Sequence, residues 1–262
     1  MKQFLSLSCL LLLLAGCSKS TVPGPTDTEK GSIRFNCSIT AQVATVQEGG
    51  TKADPATREL PASCIPDVNQ MALHLTGSTT STEYHYENMA AYDQPLLDPD
   101  DYTAHFTYGD SEAEGPQAAY FEGTTTCTVA ARKTVTQSVT HSLSNSLYTL
   151  EFADWFKKYY TSCQIQITTS SGYQSTHTIT SETESVPIFV KPNSTLYISG
   201  TAVKTNGVEV TFPKTEIGTT AARTWHTIVV DAGSAGQANI TVDFDDTPTS
   251  IEEIDIELNP EA

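Results

Sequence analysis

Basic residues are scarce in this chain of 262 residues. Lysine and arginine together number 14, against 31 aspartates and glutamates, and the formal net charge is −17. A surface of that sign repels phosphate backbones and anionic lipid headgroups. The sequence also lacks a Gly-x-Ser-x-Gly nucleophile turn and a glycine-rich phosphate loop. We therefore expect no nucleic-acid partner, no enzymatic activity, no catalytic residue and no cofactor.

Clustered metal ligands are also missing. The six histidines are scattered, and none has a partner at the short spacing of a zinc motif. They are His74, His85, His105, His141, His177 and His226. We interpret them as surface residues without a shared site.

Three short acidic stretches lack the glycine and the terminal glutamate of a calcium loop. They are Asp98/Asp100/Asp101, Asp110/Glu112/Glu114 and Asp243/Asp245/Asp246. We expect no metal site. The weak candidates for calcium are Asp110, Glu112 and Glu114, and a solvated turn is the alternative.

Long apolar runs are rare as well. The run Phe4–Leu14 follows Lys2 and is too short to span a bilayer as a helix. It leads into Leu14-Ala15-Gly16-Cys17, which has the form of a lipobox. The pattern predicts a lipoprotein signal peptide over residues 1–16 and lipidation of Cys17, whose acyl chains would hold the protein on a membrane.

Residues 17–30 are rich in proline, glycine and polar residues without periodicity, which predicts a flexible tether. The expected location is the cell envelope, as an outer-membrane lipoprotein. Exposure at the cell surface and an inward orientation both remain open, because Ser18-Lys19-Ser20 lacks an acidic run after the cysteine.

Four cysteines remain after the lipobox. Cys37, Cys127 and Cys163 alternate with apolar residues at core-facing positions, where a free thiol behaves as a small hydrophobe. Cys64 lies in a loop flanked by prolines and is the one placed for a bridge. We expect at most one disulfide, with its pairing open.

Apolar and polar residues alternate in many short runs, which predicts an all-β protein. The first run is Ser32–Thr40, and the last is Ile254–Leu258, whose acidic alternate residues suit a sheet edge. The pattern changes at 153–160, where Phe156 and Tyr160 can share a helical face. This predicts one short crossover helix.

The chain divides into two parts at the polar step Ser144-Asn145-Ser146. Each part has enough strands for two facing sheets, so we predict β-sandwich domains over 31–144 and 145–262 with a small interface. Ala130-Ala131-Arg132 and Ala221-Ala222-Arg223 each precede a closing strand, either by duplication of one topology or by chance.

Two connections have a predicted form. Asn206-Gly207 predicts a type I′ hairpin, which requires positive φ at both residues. The stretch 47–67 is rich in glycine, proline and charge, and it predicts a polar loop.

Several tyrosines could stack on sugar rings if they are exposed, and core or cross-strand packing is the alternative. They are Tyr84, Tyr86, Tyr92, Tyr159 and Tyr173.

A series of phrases in a fixed order carries a family resemblance. After the lipobox they are Cys64–Val68 leading into Met71–Leu75, Tyr102–Gly109 with Asp110–Gly115, Tyr120–Gly123, Ser144–Ser146, Asp154–Tyr160 and Val242–Asp246. Together they resemble the Bacteroidales lipoproteins of domain-of-unknown-function family 4493.

The resemblance implies an envelope lipoprotein of two tandem immunoglobulin-like or transthyretin-like β-sandwiches, loosely similar to fimbrillin-type adhesins. It brings no catalytic residues. The chain departs from the major fimbrillins because its tether lacks an arginine for a releasing protease; Arg34 lies in the first strand and Arg58 in the loop beyond. The expected role is adhesion or surface scaffolding, with other envelope or fimbrial proteins as partners. The alternative is a glycan-binding accessory lipoprotein of a carbohydrate-uptake system.

Overall fold

The computed structural model describes residues 29–45, 57–179, 186–232, 238–243 and 254–255; for the last two segments it describes the backbone alone. The predicted signal peptide, Cys17 and residues 17–28 of the tether lie outside the described residues. Most described residues are in strands, which confirms the all-β prediction. Among the described residues, no helix has the length and apolar character needed to cross a bilayer.

The first part of the chain forms a six-stranded sheet. In spatial order its strands are β1 (Ser32–Ile39), β8 (Thr134–Leu143), β7 (Phe121–Val129), β6 (Asp100–Tyr108), β4 (Ala72–Gly77) and β5 (Glu83–Tyr86). Alternation determines which face is buried. In β4, Leu73 and Leu75 are buried, whereas Ala72, His74 and Thr76 lie on the opposite, partly exposed face.

A seven-stranded sheet combines both parts of the chain. Its main path is β12 (Ile188–Val190), β9 (Ser146–Phe152), β15 (Thr224–Ala232), β16 (Ala238–Asp243) and β17 (Ile254–Asp255). Two strands from the first part join it, β2 (Gln42–Thr45) beside β15 and β3 (Thr57–Glu59) beside β2. β17, the described part of the predicted strand Ile254–Leu258, lies at the edge of the sheet as predicted; residues 256–258 lie outside the described residues.

The remaining four strands form a third sheet in the order β11 (Gln174–His177), β10 (Tyr160–Thr169), β13 (Thr195–Lys204) and β14 (Glu209–Thr219). The predicted helix is present as α1 (Asp154–Tyr159), between β9 and β10. Its Phe156 is fully buried and stacks on Tyr160 with ring centroids 4.5 Å apart. Single-turn 3-10 helices lie at Ala62–Cys64, Val68–Gln70 and Met89–Ala91.

Two apolar cores lie on either side of the seven-stranded sheet. The first is built mainly from the six-stranded sheet but includes Leu147 and Trp225. The second is built mainly from the four-stranded sheet and includes Tyr148 and Ile228. Successive residues of a strand point to opposite faces, so β9 is buried on both sides. The division into two domains at residue 145 stays a prediction. The seven-stranded sheet contains strands from before and after that residue.

The repeated Ala-Ala-Arg sequence corresponds to a repeated backbone arrangement. Arg132 and Arg223 have nearly the same positive φ, 60° and 59°. Arg132 N–H donates to the carbonyl of Lys30, and Arg223 N–H donates to that of Asn145. Two residues beyond each arginine, the chain pairs in parallel with another strand: Thr134 with Ser32, and Trp225 with Leu147. Each acceptor carbonyl comes from the residue two positions before that partner, Lys30 before Ser32 and Asn145 before Leu147. This equivalence supports duplication of one topology.

The predicted hairpin at residues 206–207 exists between β13 and β14, but its turn is not type I′. Gly207 has a φ of 83°, whereas Asn206 has a negative φ. The Asn206 side chain accepts a hydrogen bond from Val208 N–H at 3.1 Å, and Gly207 N–H donates to the carbonyl of Lys204 at 2.8 Å. These bonds describe a longer loop with glycine in the left-handed position, a common alternative to the two-residue turn.

The stretch predicted as a polar loop, residues 47–67, contains strand β3. Arg58 is therefore in a strand, and its guanidinium lies 4.0 Å from the ring centroid of Trp225. Three residues alternate too briefly for periodicity to reveal such a strand.

The four described cysteines are free thiols. Cys127 and Cys163 are buried as the alternation predicts, and burial raises the pKa of both thiols. Cys37 and Cys64 are half-buried.

Candidate functional site

The acidic loop Asp110–Gly115 connects the first part of the chain to the second. The Asp110 carboxylate accepts a hydrogen bond from Glu112 N–H at 2.8 Å, which holds the turn. Gly115, with φ of 140°, exchanges two backbone hydrogen bonds with Phe189 of β12, at 2.9 and 3.0 Å. The loop thus extends the seven-stranded sheet by one bridge.

Glu112 and Glu114 bind the segment around Lys191. Glu114 Oε1 accepts a hydrogen bond from Lys191 N–H at 3.0 Å, and its Oε2 accepts bonds from the hydroxyls of Thr169 (3.0 Å) and Ser171. Glu112 Oε2 lies 2.6 Å from Lys191 Nζ, and this hydrogen bond raises the pKa of Lys191. Within the described residues, the candidate calcium ligands Asp110, Glu112 and Glu114 do not converge on one point. Calcium binding by this loop stays a prediction.

In the step Ser144-Asn145-Ser146, the last two residues are buried and Ser144 is half-buried. Asn145 is 3% exposed; its side-chain amide donates to the Ala118 carbonyl at 2.6 Å and accepts from Tyr120 N–H at 3.2 Å. Ser146 is fully buried, and its hydroxyl donates to the carbonyl of Thr224. The polar residues at the predicted boundary therefore hold strands together.

A cavity of about 370 Å³ lies at this junction. It is lined by Ser111, Glu112, Tyr120, Glu122, Ser144, Asn145, Lys191 and Pro192. Burial, followed by the charge of Glu122, raises the pKa of Tyr120. An aromatic ring beside carboxylates and an ammonium group is a lining suited to a small polar ligand.

Most of the tyrosines considered as sugar platforms are engaged in packing. Tyr84, Tyr86 and Tyr92 pack against the first core, and the Tyr92 hydroxyl donates to the Ile33 carbonyl at 2.9 Å. Tyr173 packs against the second core. These contacts favour the packing alternative for these four tyrosines.

Tyr159, on helix α1, is half-buried and also packs against the second core. Its ring is stacked with that of Trp155, with centroids 6.0 Å apart and planes at 18°. Trp155 is 49% exposed, and Lys158 Nζ lies 4.3 Å from its ring centroid. We did not predict Trp155 as a site residue; a tryptophan on a helix with two lysines and an aspartate was the available signal.

A serine–histidine contact occurs on strand β11. Ser175 Oγ lies 2.7 Å from His177 Nε2 and 2.6 Å from the hydroxyl of Tyr148. Because the Tyr148 ring is fully buried, Ser175 gives its hydroxyl a partner. Within the described part of the chain, no carboxylate is bonded to His177, as a catalytic triad would require.

The interpretation of all six histidines as surface residues is wrong for His141 and His226, which are 0% and 2% exposed. Burial lowers the pKa of both, and that of His226 falls to about 4. The structure also brings His74 and His85 together, with ring centroids 4.0 Å apart. They are eleven positions apart in sequence, so only strand pairing makes them neighbours.

The model of one family, described as domain of unknown function DUF4493, matches residues 29–260. The chain matches none of the curated proteins.

Several solved structures are similar at low identity. A candidate cell adhesion protein from Bacteroides ovatus is 11% identical, with a TM-score of 0.42 over 84% of this chain and 99% of that one. Another from Bacteroides uniformis is 10% identical, with a TM-score of 0.41 over 86% of this chain and 100% of that one. The fimbrial anchor protein Mfa2 from Porphyromonas gingivalis is 9% identical, with a TM-score of 0.35 over 82% of this chain and 97% of that one.

Proposed function

The chain belongs to the family of proteins with domain of unknown function DUF4493, and from that premise we propose that it is a non-enzymatic lipoprotein of the bacterial cell envelope that acts in adhesion or as a surface scaffold. Its partners are other envelope or fimbrial proteins. It is held on the outer membrane by lipid on Cys17 and lifted from it by residues 17–30.

The observation that carries this proposal is the way the two parts of the chain are joined. Strand β2 of the first part pairs with β15 of the second, and Glu114 accepts three hydrogen bonds across the junction. Such a connection resists bending between the parts, because moving them apart would break the sheet pairing and the charge-assisted hydrogen bonds of Glu112 and Glu114. A stiff all-β body on a lipid anchor suits a protein that transmits force or holds a partner away from the membrane.

The polar groups that could have indicated catalysis have structural partners instead. Ser175 and His177 complete the hydrogen bonding of Tyr148, and the acidic loop is bonded to Lys191. This supports the non-enzymatic part of the proposal.

The alternative function, glycan binding for a carbohydrate-uptake system, is favoured by one observation. Trp155 presents an exposed ring at the surface, stacked with that of the half-buried Tyr159, and exposed aromatic faces are the surfaces on which sugars stack.

A glycan array probed with the purified protein separates the two functions. For an adhesion or scaffold protein without a dedicated glycan, we expect no saturable binding to a single polysaccharide. Saturable binding that is lost in Trp155→Ala and kept in the matched variant Tyr173→Phe would establish the alternative instead.

The lipid anchor has its own test. The Cys17→Ala variant should retain its signal or be cut at a wrong position, because it lacks the thiol that receives the lipid. We expect the wild-type chain in the detergent phase of a membrane partition and the variant in the aqueous phase. Bacteria producing the wild type should adhere more strongly to a surface than those producing the variant at equal amounts.

Normal membrane partitioning of Cys17→Ala would contradict lipidation. Equal adhesion by both strains, with the variant shown to have left the membrane, would contradict the proposed adhesive role.

A further inference from the structure

Three side chains with metal-binding groups meet on the outer face of the six-stranded sheet. His74 of β4 is directly opposite His85 of β5, and Glu83 is two residues before His85 on the same face. Glu83 Oε2 lies 3.8 Å from His74 Nε2 and 3.7 Å from His85 Nε2. One ligand atom from each residue lies within 4.8 Å of the others.

We propose that His74, Glu83 and His85 form a binding site for a divalent transition-metal ion, with zinc as the best match. Two imidazoles and one carboxylate are a common protein ligand set for zinc, and a water would complete a tetrahedron. With zinc–ligand bonds of about 2.0–2.1 Å, neighbouring tetrahedral ligand atoms are roughly 3.3 Å apart. The separations from Glu83 exceed this by about half an ångström, a difference that small side-chain rotations remove.

The local environment allows those rotations. The side chains of His74, Glu83 and His85 are 40%, 57% and 67% exposed, so an ion can reach them and their ends can turn. The backbone beneath them is a paired ladder between β4 and β5, which fixes the spacing of the three Cα atoms. Thr76 Oγ1 lies 3.4 Å from His74 Nε2, a contact that binding would replace.

The arrangement favours a metal over a simple ion pair. The two imidazole rings are stacked at 19° with centroids 4.0 Å apart, and both Nε2 atoms lie within 3.8 Å of one carboxylate oxygen, Glu83 Oε2. A single ion pair would use one imidazole, and two protonated rings in contact would repel each other. Calcium is a poor fit because it prefers oxygen ligands.

His105 provides a matched control on the same sheet face. His105 lies in β6, which pairs with β4 on the side away from β5, and it is directly opposite His74. Its Nε2 lies 3.8 Å from Glu122 Oε2. It is not part of the three-residue group. Its replacement therefore removes a half-exposed histidine next to an acid without removing a proposed ligand.

The test is calorimetric titration of the tag-free full chain, purified in detergent, with zinc chloride. We expect one ion per chain, and at least about a tenfold loss of affinity in His85→Ala and in Glu83→Gln, as for removal of a metal ligand. His105→Ala should bind as the wild type does, and excess calcium should not compete. Zinc should raise the unfolding temperature of the wild type and of His105→Ala but not of His85→Ala.

Several results would overturn the site. They are the absence of saturable zinc binding, a zinc affinity that neither His85→Ala nor Glu83→Gln changes, and a loss of zinc affinity in His105→Ala as large as that in His85→Ala. Loss of binding in Cys64→Ser would place the ion on a thiol instead. Circular dichroism of each variant verifies that the exposed substitutions leave the fold intact.

Discussion

Replacement of Trp225 by alanine should lower the free energy of unfolding by about 3–5 kcal/mol, the range observed for large aromatic residues removed from cores. Trp225 is 4% exposed and belongs to the first core, although it comes from the second part of the chain. Against a typical net stability of about 5–15 kcal/mol, this loss would be a large fraction.

Three contacts of Trp225 explain the size of the effect. Its indole Nε1 donates to Thr149 Oγ1 at 3.1 Å, in a buried position. The Arg58 guanidinium lies over its ring, a cation–π contact between β3 and β15. Its ring also fills the space between the six-stranded and seven-stranded sheets. Alanine would leave a cavity there and a buried hydroxyl without its donor.

Trp155→Ala is the matched control, because the chain has only two tryptophans and Trp155 is half exposed. It should cost less than about 1 kcal/mol, the loss of a surface aromatic pair. Urea unfolding followed by far-UV circular dichroism measures both. A cost below 1 kcal/mol for Trp225→Ala would contradict the assignment of Trp225 to the first core.

The same experiment bears on the proposed division into 31–144 and 145–262. If two transitions are seen, Trp225→Ala should lower the one that belongs to residues 31–144, because its ring packs in that core. A single cooperative transition would replace the two-domain proposal by one folding unit built on the seven-stranded sheet.

Acidification should destabilise the protein through His226. Its pKa is lowered from 6.5 to about 4 by burial, and its Nε2 accepts a hydrogen bond from Ala221 N–H at 3.3 Å. An imidazolium could not accept that bond, so the folded state holds the ring neutral. The unfolded chain takes up a proton near pH 6.5, whereas the folded chain does so only near pH 4.

The sign follows from the protons bound in each state. Between pH 6.5 and 4 the unfolded state binds more protons, so stability is complete above pH 6.5 and is lost as the pH falls toward 4. From pH 7.5 to 5, His226 alone should reduce the free energy of unfolding by about 2 kcal/mol. His141 adds to this in the same direction, since burial lowers its pKa too.

His226→Gln should keep an acceptor for Ala221 and lose most of this pH dependence, whereas the exposed replacement His85→Gln should keep it. The measurement is urea unfolding of the three proteins at pH 7.5, 6 and 5. The free energy of unfolding of each variant is subtracted from that of the wild type at the same pH, so that the contribution of the many carboxylates cancels. An identical slope in His226→Gln and wild type would show that His226 is not neutral and buried in the folded state.

Local pattern was sufficient for much of this fold. The alternation in Ser32–Ile39, the helical spacing of Phe156 and Tyr160, and the positions of Cys127 and Cys163 were all predicted from neighbours within a few residues. Strand and helix periodicity are properties of the local backbone, so the sequence alone determines which face is apolar. The family also follows from short phrases in a fixed order.

Tertiary structure decided what depends on distant pairing. Strand β2 pairs with β15, where Ala44 lies opposite Thr224, and no local pattern indicates that distant partner. Trp225 and His226 are adjacent in sequence, yet their side chains lie on opposite faces of β15. Trp225 packs in the first core, whereas His226 faces the strands of the second, because each face of β15 meets a different sheet. His74 and His85 became neighbours through the register of β4 and β5. Register is set by the summed burial of whole strands, so proximity between side chains on different strands emerges only when the sheets assemble.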